Sequence, residues 1–118
     1  MQKPEPPDAW TEIFHATEFG PASIPVEITN AEPVSEDCLH LNIFCPFQTN
    51  SDRLNNSLPV FLYIHGGGFC CGSTREYGFQ GWANNFVPKG IIVVTIQYRL
   101  GPFGYFPTKY FGKSKYYL

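Results

Sequence analysis

The sequence predicts an α/β protein with a mostly parallel central sheet segment and a long irregular region at its amino terminus. Two near-continuous runs of β-branched and aromatic residues, Val60–Ile64 and 91–96, are typical of strands buried on both faces of a parallel sheet. The residues between them include a short helical pattern near 82–86 and are numerous enough for one crossover connection. Prolines recur through residues 1–37. Because proline removes a backbone donor and interrupts helices, this region is predicted to be extended.

The other elements follow from shorter patterns. Residues 39–44 alternate between apolar and polar side chains before Pro46, which predicts a half-exposed strand near one edge of the sheet. Residues 26–29 are predicted to pair briefly, and the polar stretch 48–58 is predicted to be a surface loop. Strands buried on both faces need helices on both sides, and this chain offers about one short helix. The sequence therefore indicates a piece of a larger domain.

Composition limits the classes of partner. The chain has 118 residues, a net charge of −2 and only 15% charged residues, so it offers no basic surface for nucleic acid or anionic membranes. No apolar run approaches the roughly 20 residues of a membrane span, and residues 1–7 lack the apolar core of a signal peptide. A neutral or apolar small molecule is the favoured ligand class. Nothing in the composition indicates an oligomeric state.

The cysteines do not predict a metal site. The four cysteines include no Cys-x-x-Cys pair and no histidine at matching spacing, and no pattern for a cofactor is present. They are interpreted as small buried residues with at most one bridge. A bond between the neighbours Cys70 and Cys71 would be strained, because adjacent α-carbons are only about 3.8 Å apart.

The most informative motif is the apolar run Val60–Ile64 followed by His65, three glycines and Phe69. Glycine lets the backbone turn sharply and approach a substrate closely. Backbone amides at such a turn can stabilise the oxyanion that develops during acyl transfer. The triplet Gly66, Gly67 and Gly68 on its own also fits an ordinary tight loop.

The surrounding segments resemble a known family. Residues 35–43 (SEDCLHLNI), 97–106 (QYRLGPFGYF), 3–7 and 17–21, together with the glycine run, are similar to the type B carboxylesterase family, which also includes cholinesterases. The resemblance covers residues 3 to about 107. It implies a partial α/β-hydrolase fold, with residues 1–118 as an incomplete carboxylesterase domain and residues 107–118 as a divergent tail.

This resemblance implies hydrolysis of carboxylic esters by a serine, an acidic residue and a histidine. It implies that Gly67 and Gly68 are oxyanion-hole donors and that His65, Gly66 and Phe69 support them. The chain contains no Gly-x-Ser-x-Gly turn, so the nucleophile, acid and base are predicted to be absent and the chain alone is predicted to be inactive. The substrate of the full-length parent would be a small-molecule ester, and members of the family are often secreted or located in the endoplasmic reticulum.

Other residues that could carry chemistry are interpreted as structural. Ser73 is not in an elbow sequence and Ser35 precedes an acidic pair. His65 is interpreted as a hydrogen-bonded scaffold residue and not as the general base. His15 and His40 have no nearby nucleophile in the sequence.

The resemblance also assigns structural residues and reveals departures. Glu36 matches a carboxylate that pairs with an upstream arginine absent here, and a buried carboxylate without its partner would be costly. Cys38 matches a bridged cysteine whose partner position is occupied by Ser23. Arg99 lies in a structural motif. Residues 23–37 contain no tryptophan to hold a quaternary ammonium group, which argues against choline esters.

Two alternatives remain open at this point. The first is a fragment of a non-catalytic, cholinesterase-like adhesion or interaction protein. The second is a truncated product without activity. The glycine run favours the esterase interpretation, because a binding protein has no chemical need for oxyanion donors.

Overall fold

A computed structural model describes residues 5–27, 32–47 and 57–106. The first element is an edge strand, and the later elements alternate between strands and short helices. In chain order they are β1 (Leu41–Phe44), β2 (Val60–Ile64), α1 (Thr74–Tyr77), α2 (Gln80–Asn85), a 3-10 turn (Val87–Lys89), β3 (Ile92–Ile96) and α3 (Gly101–Tyr105).

The three strands form one mixed sheet in the order β1-β3-β2. Strand β3 lies in the centre, parallel to β2 and antiparallel to β1. The connection from β2 to β3 contains α1, α2 and the 3-10 turn, as a parallel pair requires. Because β2 and β3 are parallel, their carboxyl ends lie at the same end of the sheet, where the site described below is located.

One face of the sheet, here named the aliphatic face, carries only aliphatic side chains. Residues directly opposite each other on paired strands point to the same side, so the register defines each face. The members of the aliphatic face are Leu41, Ile43, Val60, Leu62, Ile64, Ile92, Val94 and Ile96. Leu62 is 54% exposed and Ile64 is 58% exposed. No helix of the described residues covers the outer part of this face.

The opposite side, here named the helix-side face, is covered by aromatic side chains. Phe61 packs against Phe86 with ring centroids 5.3 Å apart, and Tyr63 packs against Trp82 at 4.9 Å. The central residue Val93 has 0% of its surface exposed. The full set of strand residues on this face is Asn42, Phe44, Phe61, Tyr63, Val93 and Thr95.

Polar contacts hold the helix-side face to α1. The Asn42 side chain donates hydrogen bonds to the hydroxyls of Thr74 and Thr95, each at 3.1 Å. The Thr74 amide donates to Oε1 of Gln97 at 2.9 Å. These bonds satisfy buried groups that would otherwise be costly to remove from water. They fix the start of α1 over the carboxyl end of β3.

The predicted fold class is confirmed in its outline, and one detail was wrong. The strand predicted in 39–44 is the edge strand β1, and the predicted helix near 82–86 is α2. Strand β2, predicted to be buried on both faces, instead lies at an edge, with its aliphatic face exposed and its helix-side face partly covered. The reason is that, within the described residues, no strand pairs with its outer side and no helix covers its aliphatic face.

Several sequence predictions fall outside the described residues. The loop predicted at 48–58 and the tail at 107–118 lie wholly or largely there, as do two of the four residues, 28 and 29, of the pairing predicted for 26–29. A single parallel bridge joins Ala22 to Val34 in the amino-terminal region. Among the described residues no helix has the length and apolar character that crossing a membrane would require.

Candidate functional site

The glycine run follows β2 after one intervening residue, His65, and turns the chain away from the sheet. Gly67 has φ 128° and Gly68 has φ 58°, and both values fall in the region that glycine favours. A Cβ on Gly67 would collide with the main-chain carbonyl of Cys71, whereas a Cβ on Gly68 would have no atom within 4 Å. Gly67 is therefore required by space and favoured by conformation, and Gly68 is favoured by conformation alone. Phe69 follows in a left-handed conformation with φ 64°.

Main-chain hydrogen bonds hold this turn in place through its carbonyl groups. The carbonyl of Gly67 accepts from the amides of Cys70 at 3.0 Å and Cys71 at 3.1 Å. The carbonyl of Phe69 accepts from Gly101 at 2.7 Å, and that of Cys70 accepts from Val26 at 2.9 Å. The loop is thus tied to α3 on one side and to the amino-terminal segment on the other.

The amides of the same turn are left available. No described residue accepts a hydrogen bond from the main-chain amide of Gly67 or Gly68. Both glycines line a cavity of about 420 Å³. Unpaired amides beside a cavity are the groups with which proteins bind a negatively charged oxygen. The other residues lining the cavity are Ile64, His65, Gly66, Phe69, Ile96, Tyr98 and Tyr105.

His65 is fixed beneath the glycines by contacts on several sides. The side chain is buried, with 2% of its surface exposed, and its Nδ1 lies 2.9 Å from the carbonyl oxygen of Gly66. Because a carbonyl can only accept, Nδ1 carries the proton of this bond. The ring stacks on Tyr98 with centroids 4.3 Å apart and an angle of 12°. Nε2 has no hydrogen-bond partner among the described residues and does not reach solvent. This geometry supports the scaffold interpretation of His65.

Tyr98 connects the two parallel strands at the site. Its hydroxyl donates a hydrogen bond to the carbonyl oxygen of His65 at 2.6 Å. Burial raises the pKa of Tyr98 above its usual value, which keeps the hydroxyl protonated as a donor. Sequence analysis did not select Tyr98 or Tyr105 as site residues. The available signal was their position after a strand parallel to β2, because carboxyl ends of parallel strands meet at one edge of a sheet.

The structure separates the predicted residues into two groups. His65, Gly66, Gly67, Gly68 and Phe69 lie together around the cavity. The residues predicted to be structural, Glu36, Cys38 and Arg99, do not line it. Cys38 is buried, and Arg99 is half-buried just before α3.

The concern about an unpaired buried carboxylate at Glu36 was wrong for this structure. Glu36 is exposed to solvent, so its charge carries no burial cost. Ser23, at the position where a bridged cysteine was expected, is buried and its hydroxyl accepts a hydrogen bond from the Leu100 amide at 2.9 Å. All four cysteines are free thiols.

The two serines considered as nucleophiles have structural partners. The hydroxyl of Ser73 accepts from the amide of Glu76 at 3.0 Å and thereby caps α1. The same hydroxyl donates to the Glu32 carboxylate at 2.7 Å. Ser35 accepts from the Asp37 amide at 3.1 Å. His15 and His40 do not line the cavity.

No metal centre is found in the part of the chain that the structure describes. Within residues 5–27, 32–47 and 57–106, no group of three or more His, Cys, Asp or Glu residues is placed to hold an ion. A second cavity, of about 520 Å³, lies between residues 16–19, β1 and Phe79. It contains none of the residues predicted to carry chemistry.

A strand that ends in a glycine turn with unpaired amides, inside an α/β sheet, is the arrangement expected of a hydrolase of the α/β class. Comparison with known proteins defines the family. The model of the carboxylesterase family matches residues 1–114, and the chain belongs to this family.

The relatives are esterases of several organisms. The chain is 39% identical over 109 residues to gut esterase 1 of Caenorhabditis briggsae, a match that covers 90% of this chain and 18% of that protein. It is 36% identical over 121 residues to para-nitrobenzyl esterase of Bacillus subtilis (strain 168), covering 97% of this chain and 23% of that protein. The chain thus spans about a fifth of the length of these curated relatives.

Solved structures agree with the fold. A structure of PNB esterase superimposes on 89% of this chain and 21% of its own with a TM-score of 0.68 and 37% sequence identity. The Aspergillus niger EstA structure covers 76% of this chain and 17% of its own with a TM-score of 0.57 and 38% identity. The predicted partial α/β-hydrolase fold is confirmed by these similarities.

Proposed function

We propose that this chain supplies the oxyanion-binding loop of a carboxylic ester hydrolase. The amides of Gly67 and Gly68 act as the donors, and His65, Gly66 and Phe69 hold the turn in shape. The observation that carries the proposal is the pair of unpaired amides beside the cavity of about 420 Å³. In such an enzyme each preorganised donor lowers the barrier by roughly 3–4 kcal/mol, because charge develops on the carbonyl oxygen in the transition state.

The substrate class follows from the lining of the cavity. Apart from the glycines, the lining consists mainly of aliphatic and aromatic side chains such as Ile64, Ile96 and Tyr105, without a carboxylate or an amine. A neutral ester with an apolar group fits such a lining better than a charged substrate. The absence of tryptophan from residues 23–37 supports the exclusion of choline esters.

The nucleophile, acid and base are proposed to lie outside this chain. Ser73 and Ser35 are engaged in local caps and turns, and Nδ1 of His65 is occupied by the Gly66 carbonyl. Loss of triad residues lowers turnover by several orders of magnitude even in an intact scaffold. The purified chain is therefore expected to show no esterase activity. Saturable hydrolysis of p-nitrophenyl esters together with fluorophosphonate labelling would contradict this expectation.

The oxyanion role can be tested directly by binding. The isotopically labelled 118-residue chain is titrated with ethyl methylphosphonate, a tetrahedral monoanion, while amide chemical shifts are followed by NMR. The amide protons of Gly67 and Gly68 are expected to move downfield together, and that of Gly90 is expected not to move. The proposal fails if neither site amide responds, or if the distant Gly90 responds equally.

Matched variants sharpen this test. Gly67→Ala is expected to abolish the response, because the new Cβ collides with the Cys71 carbonyl at a φ of 128°. Gly81→Ala on α2 is the control, since a Cβ there has no atom within 4 Å. A retained response in Gly67→Ala would also count against the assignment. Circular dichroism on both variants separates loss of the site from loss of the fold.

The second candidate is a non-catalytic interaction protein with the same fold. The observation that favours it is the exposed aliphatic face, since contiguous apolar surface often marks a contact with another protein. Reading the genomic DNA that follows the Phe106 codon distinguishes the candidates. An in-frame Gly-x-Ser-x-Gly favours the enzyme, and an in-frame turn in which the serine is replaced favours the interaction protein. If neither sequence is found, a truncated product without activity is favoured.

A further inference from the structure

Two neighbouring thiols follow the glycine turn. Cys70 and Cys71 are both exposed, whereas Cys38 is buried. Cys45 is also exposed, but it follows β1 at a different part of the chain. The pair is not explained by the proposed ester chemistry, which uses only backbone groups of the preceding glycines.

The pair is coupled to the glycine turn through one carbonyl group. The Gly67 oxygen accepts from the amides of Cys70 at 3.0 Å and Cys71 at 3.1 Å. The Cys71 thiol lies 3.4 Å from the same oxygen and donates a third hydrogen bond to it. A Cβ built on Gly67 would lie 3.3 Å from Sγ of Cys71. The sulfur that would carry an added group therefore lies beside Gly67.

We propose that Cys70 and Cys71 form a site for thiol–disulfide exchange with low-molecular-weight disulfides, and that an adduct on Cys71 releases the Gly67 turn. In the exchange, the Cys71 thiolate attacks one sulfur of the small disulfide and forms a mixed disulfide. The original sulfur–sulfur bond breaks, and the departing thiolate takes up the proton that Cys71 lost. No further oxidant or reductant is needed.

Adjacency of the two cysteines makes the adduct persist. A neighbouring thiol usually resolves a mixed disulfide by closing an internal bond. Here the two α-carbons are only about 3.8 Å apart across a trans peptide, which is below the usual range for a disulfide. Closure is therefore unfavourable, and the adduct remains until an external thiol removes it.

The adduct disturbs the turn in two ways. It removes the thiol proton that bonds to the Gly67 oxygen, and it places bulk beside the Gly67 α-carbon. The amides of Cys70 and Cys71 then lose their common acceptor. The consequence for ester chemistry rests on the proposed function, because that turn carries the proposed donor amides, but exchange and release of the turn do not depend on it.

The test uses the full 118-residue chain and oxidised glutathione as the probe. Peptide mapping under native conditions is expected to find adducts on Cys45, Cys70 and Cys71 and none on the buried Cys38. Hydrogen exchange of the Cys70 and Cys71 amides is expected to accelerate about fivefold or more, since a locally opened turn exposes its amides. Dithiothreitol is expected to reverse both changes.

Single variants identify the sulfur responsible. Cys70→Ser is expected to retain the acceleration, and Cys71→Ser to lose it while still carrying an adduct on Cys70. Cys45→Ser is the matched control and is expected to behave as the unmodified sequence does. Where Cys71→Ser shows rapid exchange before treatment, the double variant Cys45→Ser and Cys70→Ser decides the question, because Cys71 is then its one exposed cysteine. Acceleration in this variant supports the proposal, and its absence overturns it.

Four outcomes overturn the proposal. They are reaction of Cys45 without reaction of the pair, a Cys70–Cys71 disulfide as the main product, an adduct on Cys71 without faster exchange, and acceleration that dithiothreitol does not reverse. A negative phosphonate titration combined with positive exchange results would reject the proposed ester function and leave the thiol site standing.

Discussion

The two faces of the sheet are made by the same three strands but differ in what surrounds them. On the helix-side face, Phe61 and Tyr63 contact Trp82 and Phe86, and Asn42 finds two hydroxyl partners. On the aliphatic face, Leu62 and its neighbours remain largely exposed. Among the described residues, the aromatic packing of the sheet thus lies on the helix-side face. The aliphatic face has the composition of a protein core, but in the part of the chain that the structure describes its β2 side chains are more than half exposed.

The site lies where these two environments meet. Ile64 and Ile96, from the aliphatic face, line the same cavity as the glycine turn. Tyr98 and His65 stack beneath the turn and are held by hydrogen bonds. The turn is therefore supported by polar contacts within the described residues, while the cavity itself opens beside exposed apolar side chains.

The largest expected contrast is between two adjacent valines of β3. Val93 is completely buried on the helix-side face, and Val94 belongs to the aliphatic face. Val93→Asp is expected to lower the free energy of unfolding by more than about 4 kcal/mol, because it buries a charge without a partner. Val94→Asp is expected to cost about 1 kcal/mol. Urea unfolding followed by tryptophan fluorescence measures both, and equal losses would show that both faces are covered in solution.

Shortening a side chain of β2 to alanine should also cost more stability on the helix-side face than on the aliphatic face, but the difference should be smaller. Phe61→Ala is expected to lower the free energy of unfolding by about 2 kcal/mol, because its ring packs against Trp82 and Phe86 although it is partly exposed. Leu62→Ala is expected to cost less than about 1 kcal/mol. The measurement is the urea midpoint at constant slope. A larger loss for Leu62→Ala would mean that the aliphatic face carries more of the packing.

The polar part of the helix-side face should contribute less. Asn42→Ala removes the donor to Thr74 and Thr95 and is expected to cost about 1–2 kcal/mol of unfolding free energy. The control is Asn84→Ala on the exposed surface of α2, with an expected change within about 0.5 kcal/mol. Thermal unfolding by circular dichroism compares the two. Equal changes in the two variants would show that water replaces the hydrogen bonds of Asn42 without loss of stability.

The smallest effect is a dependence on high pH. A hydrogen bond to Tyr77, together with burial, raises the pKa of Tyr63 from 10.0 to about 12. The folded state holds this proton more tightly than the unfolded chain does, so the contribution is complete below pH 10 and is lost as the pH rises toward 12. Tyr63→Phe is expected to flatten the decline of stability in this window. If the decline of stability is unchanged in Tyr63→Phe, other groups cause it. Tyr98 is one such group, because burial also raises its pKa.

Parts of the fold were predictable because they depend on local chemistry. The runs at Val60–Ile64 and 91–96 favoured strands, since β-branched and aromatic residues fit a pleated surface, and the structure has strands at Val60–Ile64 and Ile92–Ile96. The run at β2 did not reveal which of its faces would be covered. Phe61 and Leu62 are both apolar, so the pattern has no alternation from which a face could be assigned.

The residues around the glycine turn were only partly predictable for a related reason. The glycines were identified because their position after a strand is a local signal. Tyr98 was not identified, because its contact with His65 joins positions that are 33 residues apart. Such contacts depend on the parallel pairing of β2 with β3, which the sequence indicates without giving the register.

The sequence by itself determined the strands, the glycine turn and the likeness to carboxylesterases, because these depend on residue types at short spacing. The tertiary structure decided that the carbonyl of Gly67 is occupied by Cys70 and Cys71 while the amides of Gly67 and Gly68 remain unpaired. It also decided that, within residues 5–27, 32–47 and 57–106, the helices pack on one face of the sheet and leave Leu62 and Ile64 of the other face more than half exposed. The packing of the sheet, and the bonds that tie the turn to Val26 and Gly101, depend on contacts between distant segments. The free energy of such contacts is set by geometry that short-range patterns do not encode.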